Sequence, residues 1–457
     1  MTKRRFSPAS ILDEVAYCVE RIDRNPLIFG IVLALEGEVS SRAIKEALDA
    51  CLNYYPKFKC ILVKNYPSFK RWFRYCWEYR DIKSKDILQE IEDSDPNHNS
   101  QEVINFYIKN HSSLAIDLAY QVPLKVLLIK QLNLVNLIFI FHHAAVDGLA
   151  GTFFVQKFVK FYEDIFYRQK KVGDYTPDFK TVSRPEITFR RKNFALRRMY
   201  AFLKYSLLHL RKPSAQLHTE GGEVKEERVL AVFREIPPHQ FKLLRTTARK
   251  YNATVNEYLL AAMFQTIKKW NQRWGDTIER IYIGVPVNLR PSKDRMVGNN
   301  LSGFNISLTP DLIGDKEKIL SLIRKEMTSM VKNDIARTTV NLAWFMKLIP
   351  LWLKMFICNY LSHSSSHLSN SLSPTFLLTN LGIFSPNPSH KDKEGFHYMG
   401  PARIHSASGI PPIGQWPGIG TFIYNGRIGF SLGVLRSQFS LEAAERFLDS
   451  FISELIG

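Results

Sequence analysis

Cysteine is scarce in this chain: five residues in 457, at positions 18, 51, 60, 76 and 358, and no two of them form a C-x-x-C pair. That scatter argues against a thiolate zinc site or a disulfide framework and fits a reducing compartment. Long apolar runs are missing as well. No stretch of about 18 uncharged apolar residues occurs, so a membrane-spanning helix is not expected. The opening "MTKRRFSPASILDEVAYC" has basic residues with no continuous apolar core behind them, so neither is a cleaved secretion signal. The expected location is therefore cytoplasmic. Also absent are a G-x-S-x-G nucleophile elbow, a P-loop and a G-x-G-x-x-G dinucleotide fingerprint.

Negative charge is the other shortage. Asp and Glu number 43 against 62 Lys and Arg, a formal net charge of +19. Much of the excess is local: Arg184–Lys212 holds nine basic residues and a single acid, Glu186. Such a surface suits anionic lipid, nucleic acid, or a phosphate-bearing ligand such as coenzyme A or a phosphopantetheinyl carrier. Nucleic acid fits least, because the excess is not spread along the chain and no zinc-finger or RNP-like pattern accompanies it. The ordinary share of hydrophobic residues, 45%, is enough for well-developed cores.

The first half alternates strands and helices. "PLIFGIVLALEG" is a continuous apolar run closing on glycine, as in a buried strand. "SSRAIKEALDACLNYYP" has an N-cap serine, helical spacing and a proline stop. "QVPLKVLLIKQLNLVNLIFIFHH" reads as two strands joined near 131–133. Helical periodicity returns after Gly148. "GDYTPDFKTVSRPE" reads as a linker, and the stretch after it, "NFALRRMYAFLKYSLLHLRKP", places Arg197, Lys204 and Arg211 seven apart on one helical stripe. The second half repeats the style of the first. "ATVNEYLLAAMFQTIKKW" is a helix, "RIYIGVPVNLRP" and "TFLLTNLG" are strands, "YNGR" is a hairpin turn, and "LEAAERFLDSFISELI" is a closing helix. The natural division is 1–176, a basic crossover at 177–228, and 229–457.

The chemistry concentrates at "FIFHHAAVDGLAG". Phe139, Ile140 and Phe141 end a very apolar run, and His142, His143, Asp147 and Gly148 follow within seven residues. A positioned neutral imidazole is a general base near neutral pH, worth roughly 10²–10⁴-fold in rate. A strand end fixes it better than a free loop. Gly148 would allow a sharp turn, and Asp147 could fix that turn by pairing with a basic group. A single histidine is more often a packed or surface residue; the pair with Asp-Gly behind it changes that balance.

This H-H-x-x-x-D-G pattern resembles the signature of the chloramphenicol-acetyltransferase-like, coenzyme-A-dependent acyltransferase superfamily. Its members include nonribosomal peptide condensation domains, plant BAHD enzymes, polyketide-associated acyltransferases, and bacterial wax ester synthases with diacylglycerol acyltransferase activity. "EGEVSSRAIKEALDACLNYYPKFKCILV", "GVPVNLRP…VGNNLSGFNISL", "LLTNLG" and "IYNGRIGFSLGVLRSQFSLEAAERF" resemble further segments of these proteins, while the DFGWG pattern of the BAHD branch is absent. The resemblance implies an α+β fold of two chloramphenicol-acetyltransferase-like α/β sandwich domains with an active-site channel between them.

It also implies roles. His143 would be the catalytic base, taking a proton from an alcohol or amine as that group attacks an acyl thioester directly. His142 would support it, and Asp147 would hold the motif's loop with Arg290 as its ion-pair partner and Gly148 beside it. Thr379 and Asn380 would be oxyanion donors, ordinary strand-end polar residues being the other reading. Asn256 stands where wax ester synthases have an Asn-Asp pair, although Glu257 follows it here. The implied activity is acyl transfer from acyl-coenzyme A or an acyl-carrier protein to a hydroxyl, with no bound cofactor or metal. Amide formation by a stand-alone condensation domain, or an idle carrier-protein-binding module, are the alternatives.

His363 and His367 have i, i+4 spacing but sit in a serine-rich context without an acid, which favours a loop over a metal site. "GIPPIGQWPGIG" (Gly409–Gly420) reads as a plain loop, with the border of a channel as the alternative. "LAWFMKLIPLWLKMFICNYL" and the basic stretch around Arg197 are cationic and amphipathic. Burial of their apolar faces in the protein is the first reading and peripheral membrane contact the second.

Overall fold

A computed structural model describes the chain except residues 1–5, 24–26, 65–73, 94–114, 133, 168–171, 173–195, 212–213, 223–228, 276–279, 292–294, 296, 364–373, 387–390 and 413–415. The expected linker at 173–186 and His367 lie outside the described residues. In chain order the elements of the first half are β1 (Phe6–Pro8), α1 (Ile11–Asp23), β2 (Ile28–Glu36), α2 (Ser41–Tyr54), β3 (Cys60–Val63), β4 (Cys76–Tyr79), β5 (Leu88–Glu92), β6 (Leu124–Lys130), β7 (Val135–His142) and α3 (Gly148–Phe166). Then come α4 (Leu196–Arg211), β8 (Val229–Ile236), α5 (Pro238–Lys250), α6 (Val255–Arg273), β9 (Ile281–Asn288), β10 (Leu301–Leu308), α7 (Lys316–Lys332), α8 (Ile335–Ala343) and α9 (Leu351–His363). β11 (Phe376–Ile383), β12 (Tyr398–Met399), β13 (Ala402–Ile410), β14 (Gly418–Tyr424), β15 (Arg427–Leu435) and α10 (Leu441–Ile456) complete the chain. Among these residues no single helix is long and apolar enough to cross a membrane.

Two six-stranded sheets carry the fold, in the orders β12-β13-β2-β7-β6-β5 and β10-β9-β11-β14-β15-β8, beside a small β1-β4-β3 sheet. β2 and β5–β7 belong to one large sheet, and β8–β11, β14 and β15 to the other. β12 and β13 leave the second half and pair onto β2, Gly409 opposite Ile31 and Ile410 opposite Gly30. The sheet that bears the histidine motif is thus completed by a strand from residues 402–410. The chain then returns through 411–417 to begin β14 in the other sheet, so the two halves are laced together rather than joined by one tether.

Local causes are plain. β2 and β7 are flanked by strands on both edges and are buried over nearly their whole lengths, which is why they read as unbroken apolar runs rather than as alternation. Phe139 meets Phe154 and Phe158 of α3 edge to face, and Phe141 meets Phe154 likewise, each burial contributing about 1.5–3 kcal/mol. α2 starts where the Ser40 hydroxyl accepts from the Ala43 N–H at 3.2 Å. The hairpin at Tyr424–Arg427 closes through Asn425 (φ 46°) and Gly426 (φ 71°), the paired left-handed residues a tight two-residue turn requires.

α1 ties the layers together by burying two adjacent acids. Asp13 meets Lys57 at 3.0 Å and accepts from the Trp77 indole at 2.9 Å. Glu14 meets Lys354 of α9 at 2.7 Å. Both lysines are buried, and buried charges persist only when paired.

Candidate active site

β7 delivers the histidine pair. The His142 N–H donates to Pro123 O at 3.1 Å and the His143 N–H to Leu27 O at 2.8 Å, so both residues are still held by neighbouring backbone where the strand ends. From there the two side chains diverge. His142 is fully buried: its Nδ1 accepts the Ala144 N–H at 3.1 Å, which puts the ring proton on Nε2. Nε2 lies 2.8 Å from Glu20 Oε2 on α1, outside hydrogen-bond geometry. His143 is half-buried, lies edge-on to the Phe29 ring with centroids 5.3 Å apart, and lines a cavity of about 640 Å³.

Asp147 faces away from that cavity's chemistry. Its Oδ1 caps α3 by accepting the Ala150 N–H at 3.0 Å. Its Oδ2 accepts the Asn300 N–H at 2.7 Å and lies 2.8 Å from Arg290 Nη1, in an ion pair with both side chains only 1% exposed. Arg290 in turn donates through Nη2 to Gly298 O at 2.6 Å and through Nη1 to Asn288 Oδ1 at 3.2 Å. Asn299 Nδ2 donates to His143 O at 3.0 Å. The loop 142–148 of one half is therefore sewn to the loop 288–300 of the other, and both Asp147 oxygens are occupied in the stitching. Asp147, grouped with the histidines on sequence, holds their loop and is not available to hand a proton to His143.

Burial lowers the His143 imidazole below its ordinary value of 6.5, because an imidazolium would lose its water there. The Asp147 charge and a hydrogen bond to the residue's own backbone oppose the drop, and His142 adds to it. The ring is thus neutral, and basic, at pH 7.

The cavity takes its walls from both sheets and from the helices around them. Leu12, Val15 and Val19 come from α1, Phe202 and Tyr205 from α4, and Leu381 from β11. Thr379 and Asn380 line it too. Asn380 is held at both ends: its amide donates to Asn256 Oδ1 at 2.6 Å and its oxygen accepts the Gly382 N–H at 2.8 Å.

Three expectations need correcting here. Asn256 is exposed and is not among the cavity's lining residues; it braces Asn380. Its neighbour Glu257 is taken up by a reciprocal cap with Thr254, which is why α6 begins there. Gly148 does not supply an unusual turn, since it has no positive φ. A side chain there would instead meet Leu381 Cδ2 at 2.6 Å, so the glycine makes room for the tip of Leu381 where the two halves approach closely. The stretch read as a plain loop proves to be a wall: Gly409, Pro411, Pro412, Trp416 and Gly420 all line the cavity.

Glu20, Asn299 and Asn300 were not anticipated. Asn299 and Asn300 sit in "VGNNLSG", whose glycine-asparagine turn was a usable signal; Glu20 had none, because only the tertiary placement of α1 brings it to His142.

The family model "Condensation domain" matches residues 17–336. Over 222 residues the sequence is 26% identical to the uncharacterized protein Rv2305 of Mycobacterium tuberculosis (strain ATCC 25618 / H37Rv), covering 47% of this chain and 49% of that protein. The chain thus spans about half the length of the curated relative it matches. Among solved structures, the first condensation domain of the CDA synthetase superposes with a TM-score of 0.70 at 10% identity, over 100% of this chain and 96% of that one. TRI3 trichothecene 15-O-acetyltransferase from Fusarium sporotrichioides gives 0.71 at 10% identity, over 99% and 95%. The α+β, two-sandwich architecture expected from the motif is the fold observed.

Proposed function

The chain belongs to the condensation-domain family, and from that premise we propose that it is an acyltransferase moving an acyl group from a coenzyme A or carrier-protein thioester to a hydroxyl acceptor. The observation that carries this reading is His143: a neutral imidazole, fixed at a strand end, on the wall of a largely apolar cavity between two halves. The His143 ring lines that cavity, where a ring nitrogen can meet a ligand. That nitrogen takes the acceptor's proton as the acceptor oxygen bonds to the thioester carbonyl carbon. The tetrahedral oxyanion would be met by Thr379 and Asn380; the C–S bond then breaks, and the imidazolium returns its proton to the thiolate. No acyl-enzyme is needed.

The same base serves an amine, and the family match is equally compatible with amide formation, the second reading. Release of free thiol from acyl-coenzyme A, measured with panels of alcohols and amines, separates them. The first reading expects thiol release that depends on an alcohol; release with amines alone supports the second. No turnover with any coenzyme A or carrier-bound donor would overturn both.

A further inference from the structure

Helix α9 is built the wrong way round for a helix in water. Its inward side carries Lys354, 2% exposed and paired with Glu14, and Leu351. Its outward side carries Trp352, Phe356 and Tyr360, 65%, 63% and 66% exposed. These three recur every four positions and form one stripe with exposed Ile357 beside it, while exposed Phe345 and Leu348 precede a 119° bend of the chain before α9. The basic face expected of this segment is therefore not its outer face; the aromatics are. α4, packed on α8, adds Tyr200, Leu203 and Leu207 at helical spacing, all at least half exposed, with exposed Arg197 and Lys204 on the same helix. Scattered apolar residues at a surface need no explanation, but a continuous aromatic stripe does.

The charge around it narrows the choice of partner. Between Glu186 and Glu220, and between Asp334 and Asp392, the sequence contains no acidic residue. Asp334 at the start of α8 already pairs with Arg198 of α4 at 3.3 Å, so a second copy would set the exposed Arg197 and Lys204 against like charge, whereas anionic headgroups would complement them. We propose that this face docks on an anionic phospholipid bilayer, with Trp352, Phe356 and Tyr360 seated at headgroup level and the cations of α4 beside them. The helices behind the stripe also wall the cavity, through Phe202 and Tyr205 of α4 and Leu12 and Val15 of α1, onto which α8 and α9 pack. A lipid-borne acyl chain or alcohol would then reach His143 past α4 and α1, which wall the cavity. That last step rests on the acyltransfer reading; the docking itself does not.

Co-sedimentation of the full chain with phosphatidylcholine vesicles, with and without phosphatidylglycerol, tests the docking independently of activity. Binding is expected to require phosphatidylglycerol and to weaken with salt. The triple variant Trp352→Ser, Phe356→Ser, Tyr360→Ser should need at least about tenfold more lipid for half-binding. Circular dichroism checks its fold, and Phe356→Asp alone is the milder second variant, expected to shift binding the same way. Failure to sediment with either vesicle, or unchanged binding of correctly folded variants, would overturn the proposal. So would light scattering that finds the wild type dimeric in solution and the triple variant monomeric, which would give the face to a second copy.

Discussion

The two sides of the loop His142–Gly148 are opposites. On one side both Asp147 oxygens and His142 Nδ1 are taken up by the Ala144 and Ala150 amides, Asn300 and Arg290, and Glu20 lies beside His142 Nε2. On the other, His143 meets Phe29 and an apolar cavity. The first side resists change because each buried charge depends on its partner. The second is chemically open, since a desolvated neutral imidazole has lost water and gained no counter-ion. Adjacent residues of the same type thus acquire different chemistry from burial and partners alone.

Substitutions should separate the sides. His143→Ala is expected to reduce turnover roughly 10²–10⁴-fold with little change in stability, measured by thiol release and denaturant unfolding. Arg290→Ala should do the reverse in kind. Stranding the Asp147 carboxylate should destabilise the fold by about 3–5 kcal/mol, read as a lower urea midpoint at constant m, and a double Asp147→Leu, Arg290→Met variant should recover much of that. His142→Ala leaves the Ala144 amide without its acceptor and Glu20 without its neighbour; a stability loss of about 1–3 kcal/mol is expected, with turnover changed far less than in His143→Ala. Gly148→Ala should have the smallest effect, about 1 kcal/mol, because the atom it meets is the movable end of Leu381. Its signature would be a changed KM, as Leu381 shifts in the cavity wall. If His142→Ala and His143→Ala behaved alike, the contrast between the two sides would fail.

Much of this was legible in the sequence, for physical reasons. β2, β7, α3 and α10 announced themselves because strands buried on both faces and capped amphipathic helices leave local patterns. His143 was legible because a polar pair at the end of an apolar strand needs a reason. What could not be read were relations created only by tertiary placement. β13 joins the other half's sheet, Glu20 reaches His142 from α1, and Asn256 turns to Asn380 instead of the cavity. Lys354 shows the limit best. A helical wheel of α9 offers both a lysine side and an aromatic side to the interior, and only Glu14, some 340 residues earlier, decides between them.

The most direct measurement is the pH dependence of kcat/KM for the wild type and for His143→Ala. Only the neutral imidazole accepts a proton, and burial lowers its pKa below 6.5, so the wild-type rate should be level through neutral pH. It should fall only on an acid limb whose midpoint lies below 6.5, and that limb should vanish from the residual activity of His143→Ala. A wild-type midpoint above 6.5, or the same limb persisting in the variant, would mean that another group carries the proton.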